Sequence, residues 1–349
     1  MVERVLLAEP RGFCTGVEMA IKALTWMTRV FPPPVYCYHQ IVHNASVVAA
    51  FEAAGVAFVD DLGSVPEGVP LMLSAHGSAP EAVAEARRRG AVVVDAVCPL
   101  VTKVHHEVRR MAASGYSIVY VGHEGHDEAV GTIAEAPEAV TLVDPGAGLE
   151  GFRAADPARV ALVAQTTLGL HEWEGVRAAA EARFPELWTA RRSDLCYATT
   201  NRQEAVRALA GRADLVLVVG SENSSNTRAL VRVARASGTP AHRVDGPASI
   251  DRRWLEGAGV VGVTAGASAP DDSVQAVVAA LSAQAEVEVV RVAAEEEYFP
   301  PPPQLRALLG ALQAAVEGGC AARLPGRPGL LEEDRGWGAA RALEVLAAG

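Results

Sequence analysis

A cysteine set between a buried strand and a helix start occurs three times in this chain, and that repetition constrains the fold more than anything else. The β-branched run Val92 to Val94 reads as a buried strand. It ends at Asp95 and runs through Ala96 and Val97 into Cys98. Pro99 suits the first turn of a helix, where its missing N–H costs nothing, and Val101, Val104, Val108 and Met111 follow at helical spacing. The same device leads from Val5-Leu6-Leu7-Ala8 through Pro10-Arg11-Gly12-Phe13 to Cys14, with Val17, Ile21 and Leu24 behind it. It returns at Ser193-Asp194-Leu195-Cys196, where Ala205, Val206 and Leu209 mark the helix and Thr200-Asn201-Arg202-Gln203 reads as its capping box. A thiol at a helix N-terminus is biased toward thiolate, the form that binds metal.

The layout between these cysteines also repeats. Each unit runs cysteine, helix, strand, polar loop, helix, strand, second polar loop. The first unit has a strand from Val35 to Val42 before His43-Asn44, and Leu71-Met72-Leu73 before Ser74-Ala75-His76-Gly77. In the second, Ile118 to Val121 precedes Gly122 to Glu128, and Val160 to Val163 precedes Gln165-Thr166-Thr167. The third has Leu215 to Val219 before Gly220 to Asn226, and Val260 to Val263 before Ala265 to Pro270. Continuous apolar strands alternating with helices indicate parallel sheets covered on both faces, with ligands beyond the C-terminal strand ends. The expected fold class is α/β: three small parallel-sheet lobes in pseudo-threefold arrangement around a central site. The lobes are 10–97, 98–193, and 1–9 with 194–305. A C-terminal extension, 306–349, follows Pro300 to Pro303; Leu305, Leu308, Leu309 and Leu312 predict one helix there. Beyond Gly318 a Gly-, Pro- and Ala-rich tail is expected to be loosely packed or partly disordered.

Composition narrows the function. The net charge of −11 opposes nucleic-acid binding, which needs a basic stripe. No apolar run reaches the roughly 18 residues of a membrane helix, and no signal-peptide core opens the chain. A cytoplasmic protein is expected, so the five cysteines are thiols or metal ligands rather than disulfides. C-x-x-C pairs typical of zinc ribbons are absent. Three widely spaced thiolates can hold a [4Fe–4S] cluster on three irons and leave the fourth open as a Lewis acid. Three small core hydrophobes are the alternative, and the placement of each cysteine at a strand-to-helix junction favours ligation over it. Cys37, inside a strand, and Cys320, in the tail, are expected to be inert.

His43, His76, His126, Ser224, Ser225, Asn226 and Ser268 are donors in loops at strand ends, suited to a phosphate or diphosphate. An acidic protein needs such a local cradle for an anionic substrate. Glu128 is the candidate acid, since a carboxyl in a dry pocket has a raised pKa and can deliver a proton. Thr166 and Thr167 could relay that proton or hold a substrate hydroxyl.

These motifs resemble one family. Pro10 to Cys14, Ile41 to Asn44, Ser74 to Gly77, Cys98 to His105, Gln165 to Leu168, Cys196 to Glu204, Asn223 to Asn226 and Ala265 to Pro270 are similar to the 4-hydroxy-3-methylbut-2-enyl diphosphate reductases, the IspH/LytB family. The resemblance runs from about Val2 to Arg306. It implies a three-lobed α/β fold around a [4Fe–4S] cluster and the last step of the non-mevalonate (MEP) isoprenoid pathway. An allylic diphosphate alcohol is reduced by two electrons and two protons, with loss of water, to isopentenyl and dimethylallyl diphosphates. It implies Cys14, Cys98 and Cys196 as cluster ligands, an open iron that takes the substrate hydroxyl, and Glu128 as proton donor with Thr166 beside it. His43, His76, His126, Ser224, Ser225, Asn226 and Ser268 then grip the diphosphate or line the pocket. A ferredoxin or flavodoxin-like donor is implied. Asp127 stands where the family usually has Pro, which predicts a more mobile Glu128 loop, and Ala164 and Gly169 replace usual hydroxyl residues. At this stage two other functions stay open: a non-redox cluster hydro-lyase, which needs no electron donor, and a phosphate-ligand binding protein whose cysteines are core.

Overall fold

The computed structural model describes residues 2–190, 193–281, 285–319 and 329–347. The chain is an α/β protein with three parallel sheets and folds as two compact units. One unit comprises Met1–Cys14 and Leu100–Glu296, the other Thr15–Pro99 and Glu297–Gly349.

The first unit holds two sheets. Its five-stranded sheet has the order β11 (Ala241–Val244), β10 (Leu215–Val219), β12 (Val260–Ala265), β1 (Arg4–Glu9) and β13 (Glu286–Arg291). Its four-stranded sheet runs β7 (Val140–Val143), β6 (Ser117–Val121), β8 (Val160–Ala164) and β9 (Trp188–Thr189). Central strands β8 and β10 are buried at every residue, because helices cover both faces. The helices are α4 (Pro99–Ala113), α5 (Asp127–Ile133), α6 (Leu170–Arg183), α7 (Tyr197–Ala210), α8 (Ser225–Ala236) and α9 (Asp271–Leu281). Val101, Val104, Val108 and Met111 are the buried stripe of α4, as their spacing requires. The loops at the ends of β6, β8, β10 and β12 carry the polar motifs of the sequence.

The second unit is built on a sheet ordered β3 (Val56–Val59), β2 (Val35–Tyr38), β4 (Pro70–Leu73) and β5 (Val92–Asp95). Around it are α1 (Thr15–Val30), α2 (Ala45–Ala53), α3 (Pro80–Arg89), α10 (Pro303–Gly319), α11 (Leu330–Arg335) and α12 (Ala339–Ala347). The strand expected from Val35 to Val42 stops at Tyr38. His39 adopts a left-handed backbone with φ of 58°, which ends the pleat, yet Ile41 and Val42 still pack inside. Asn44 then caps α2, its side chain accepting from the N–H groups of Ser46 and Val47 at 3.1 Å each.

The C-terminal segment corrects an expectation. Over 329–347 it is not loose but forms α11 and α12, packed on α1. Its anchor is Asp334, only 1% exposed. Lys22 Nζ lies 2.9 Å from one carboxylate oxygen, and Trp26 Nε1 donates to the other at 2.9 Å. The Tyr298 hydroxyl adds a bond at 3.2 Å, and Trp337 stands edge-on to Trp26 at 5.6 Å. Composition hid this, because one buried acid and one tryptophan hold down a segment otherwise rich in Gly and Ala. Cys320 lies outside the described residues.

Candidate active site

In the unit formed by 1–14 and 100–296, the residues at strand ends meet through short hydrogen bonds. Glu128 lies in the first turn of α5, not in a loop, and is 2% exposed. Asp127, expected in a loop, is the first residue of that helix. His126 is its N-cap, with Nδ1 accepting from the Glu128 N–H at 3.2 Å. The Glu128 carboxylate accepts from the Thr166 N–H at 2.6 Å and from the Thr166 hydroxyl at 3.0 Å. Burial pushes the Glu128 pKa up to about 7, against the lowering pull of these two bonds. Desolvation therefore outweighs both donors and the helix N-terminus, and the carboxyl is poised near neutrality.

Thr166 connects this acid to a thiol. Its carbonyl accepts from the Cys196 N–H at 3.0 Å. Cys196 is the N-cap of α7, and its Sγ accepts from the Thr199 N–H at 3.3 Å and lies 3.0 Å from Thr199 Oγ1. The helix therefore starts three residues before the expected capping box. Thr200 turns inward on the helix, bonding the Tyr197 carbonyl at 3.0 Å, and Gln203 reaches across to the backbone of Leu168 and Leu170. The Cys196 thiol is pushed up to about 12 by burial and then by the charge of Cys14, with Glu128 adding to it. At Cys196, burial and the neighbouring Cys14 outweigh the pull of the helix N-terminus toward the thiolate.

Asn226 and Gln165 complete the network. Asn226 donates to Thr199 Oγ1 at 3.3 Å and accepts from the Ala267 N–H at 2.9 Å. The Ala267 carbonyl accepts from the Cys14 N–H at 3.1 Å. One amide thus bridges the surroundings of Cys196 and Cys14. Gln165, fully buried, accepts from the His123 N–H at 3.0 Å and donates to Thr167 at 2.9 Å and to Ser225 at 3.2 Å. Ser224 caps α8 by accepting from the Thr227 N–H at 3.3 Å, and Ser268 is buried in the loop after β12. The sequence presents Gln165 only as part of a polar loop and gives Thr199 no role. Their polar side chains inside otherwise apolar strand and helix ends were the available signal.

In the other unit, His43 and His76 stack at 3.8 Å between ring centres, inclined by 16°. Cys98 follows β5, and its N–H donates to the Ala75 carbonyl at 3.0 Å, next to His76. Gly16 faces this thiol: a Cβ there would stand 2.7 Å from Cys98 Sγ. Cys14, Cys37, Cys98 and Cys196 are all thiols outside any disulfide. Cys37 is fully buried in β2 with its pKa raised by burial, as suits an inert core residue. Cys14 and Cys196, two half-buried soft donors at helix starts and close enough to feel each other's charge, suit two ligand positions of an iron–sulfur cluster.

Half-buried thiols at helix starts, one of them joined through Thr166 to a buried carboxyl, mark an α/β protein whose polar residues gather at its strand ends. Residues 5–282 match the LytB protein family model. The chain is 48% identical over 306 residues to the 4-hydroxy-3-methylbut-2-enyl diphosphate reductase of Acidothermus cellulolyticus, covering 87% of this chain and 90% of that one. It is 49% identical over 281 residues to the enzyme of that name from Mycolicibacterium paratuberculosis, covering 80% and 85%. Among solved structures, the E-1-hydroxy-2-methyl-but-2-enyl-4-diphosphate reductase of Plasmodium falciparum superposes with a TM-score of 0.85 at 31% identity, covering 89% of this chain and 99% of that one. This chain belongs to the LytB family.

Proposed function

We propose that this chain is a 4-hydroxy-3-methylbut-2-enyl diphosphate reductase acting at the end of the non-mevalonate isoprenoid pathway. The observation that carries the reading is Glu128, a buried carboxyl poised at about pH 7 and joined through Thr166 to the thiol-bearing Cys196. The overall change breaks the allylic C–O bond, forms a C–H bond and releases water. It consumes two electrons and two protons.

Cys14, Cys98 and Cys196 are the proposed ligands of a [4Fe–4S] cluster, which when bound supplies electrons and one open Lewis-acidic iron. The electrons come from a one-electron carrier of the ferredoxin or flavodoxin class. Such chemistry belongs in a compartment that keeps thiols reduced, which the cytoplasm provides. No described helix is long and apolar enough to cross a membrane.

Glu128 holds one proton near neutrality, and the Thr166 hydroxyl fixes the carboxyl orientation. His126, held in one orientation by its cap bond, and Ser224, Ser225, Asn226 and Ser268 are proposed to bind the diphosphate or line the pocket, with His43 and His76 as further donors. Helix starts at α5 and α8 add favourable N–H dipoles for that anion. Burial of Glu128 and Thr166 excludes water, which strengthens each interaction there.

The test is anaerobic purification, iron and sulfide analysis, and conversion of the allylic diphosphate with a strong reductant. A brown protein with about four irons and four sulfides per chain, forming both five-carbon diphosphates, is the expected result. Cys98→Ser is expected to lose or degrade the cluster, and a full stable complement in that variant would refute its role. A colourless protein that cannot be reconstituted would return the cysteines to the core, and reductant-independent turnover would favour a hydro-lyase.

A further inference from the structure

Among the described residues Arg202 is the largest fully buried side chain, and nothing in the proposed chemistry uses it. It lies on α7, the helix that Cys196 caps. Its guanidinium points at the loop that ends in Cys14. Nε donates to the Gly12 carbonyl at 3.0 Å, and Nη2 donates to the same carbonyl at 2.8 Å and to that of Phe13 at 3.2 Å. Nη1 bonds the Ala198 carbonyl at 3.0 Å and both Glu295 oxygens at 2.9 and 3.2 Å. Every face of the fork is committed, and Glu295 compensates the charge that burial would otherwise penalise.

The other edge of the same loop is held by backbone. The Gly12 N–H donates to Ala265 at 3.4 Å and the Cys14 N–H to Ala267 at 3.1 Å. Gly12 has φ of 64°, a left-handed conformation suited to glycine, and turns its carbonyl toward Arg202. The two residues directly before Cys14 are therefore clamped between the β12 loop and α7, and the clamp on the carbonyl side is one side chain.

We propose that Arg202 is the positioning residue for the Cys14–Cys196 pair, fixing the loop that carries one thiol onto the helix that carries the other. The inference rests on the reading of these cysteines as ligands of one group. It differs from core filling in a specific way. A core role needs only volume and charge balance, whereas positioning needs a planar fork that serves two carbonyls and a carboxylate together. Lysine, with three donors around a single nitrogen, supplies the charge but not the fork.

The experiment compares wild type with Arg202→Lys, Arg202→Met and Glu295→Gln on the full chain. In apo-protein, a thiol-bridging reagent such as dibromobimane is applied, and the Cys14–Cys196 cross-linked peptide is quantified by mass spectrometry. After reconstitution, cluster lifetime under a chelator and the electron paramagnetic resonance of the reduced cluster are recorded. Thermal melting reports the fold. Arg202→Lys is expected to melt close to wild type, to bridge the two thiols roughly tenfold more slowly, and to lose the cluster about tenfold faster with an altered signal. Arg202→Met is expected to behave no better. Wild-type bridging and lifetime in a folded Arg202→Lys protein would overturn the proposal. Where the Arg202 variants do not fold, Glu295→Gln decides. It keeps every donor of Arg202 but loosens its anchor, so slower bridging supports the proposal and unchanged bridging overturns it. The apo readout separates this inference from the cluster reading: a wild type that bridges both thiols but takes up no cluster removes the reductase and leaves the positioning result to stand or fall by itself.

Discussion

Two carboxylates, one in each compact unit, are almost equally buried, at 2% for Glu128 and 1% for Asp334, yet they are built for opposite purposes. Asp334 meets a cation and two neutral donors: Lys22 at 2.9 Å, the Trp26 indole at 2.9 Å and the Tyr298 hydroxyl at 3.2 Å. Among the described residues the Glu128 carboxylate bonds to the N–H and hydroxyl of Thr166, with no cation beside it. Burial costs a carboxylate its hydration in either place, and only at Asp334 does an opposite charge replace it. Asp334 is therefore an ion-paired anchor that holds α11 and α12 on α1. Glu128 is a carboxyl whose proton comes and goes near pH 7. The partner set, rather than the depth of burial, separates a latch from an acid.

The largest effect expected from breaking this contrast is on turnover. Glu128→Gln removes the transferable proton while keeping the shape. It is expected to lower turnover by about 10²- to 10⁴-fold, the usual weight of a general acid, with cluster content and diphosphate affinity kept. Unchanged turnover would remove Glu128 as the acid. Next in size is Asp334→Asn, which strands the buried Lys22 ammonium. Breaking such a pair costs about 3–5 kcal/mol, measured as a fall in denaturant midpoint. An unshifted midpoint would mean that the C-terminal helices do not contribute to the stability of their unit. Deleting the chain after Gly318 should destabilise that unit in the same way.

Much of this contrast was legible from residue order, and some was not. Buried strands, helix starts and the polar loops follow from period and punctuation, so β6, β8, β10 and β12 fall where the apolar runs place them. Edge strands such as β3, β7 and β11 escaped, because four residues of mixed burial give no clear period. Glu128 was recognisable as an acid, but its helix was not, since the cap is a histidine side chain rather than Ser, Thr, Asp or Asn. Arg202 and Glu295 sit 93 residues apart, and Glu295 opens an acidic run that reads as solvated surface. Asp334 likewise follows two glutamates in a weakly patterned tail. Long-range partners of this kind leave no local trace, and only the fold joins them.

The contrast also has a pH signature. A carboxyl raised from its ordinary 4.5 to about 7 binds its proton more tightly in the folded state. The folded chain is thus favoured at low pH, and this advantage is lost as pH rises from about 4.5 through 7. Ionised Glu128 costs about 3 kcal/mol relative to an exposed glutamate above that window. Glu128→Gln should therefore gain stability over wild type at alkaline pH and lose that gain below the window. A gap of equal size at both ends, in paired melts across pH, would assign it to packing rather than charge.

The smallest and sharpest change is Thr166→Val. It removes the hydroxyl donor at 3.0 Å and leaves the N–H bond at 2.6 Å and the side-chain volume in place. The lost bond is worth about 1 kcal/mol, so the fold should survive. Because that hydroxyl lowers the Glu128 pKa, its loss should move the midpoint of the pH-dependent stability above that of wild type. The shift is read from the same paired melts. A midpoint that moves down would mean that the hydroxyl stabilises the protonated carboxyl instead. Thr166 would then act as an acceptor from the acid, and the direction of the proton path between them would be reversed.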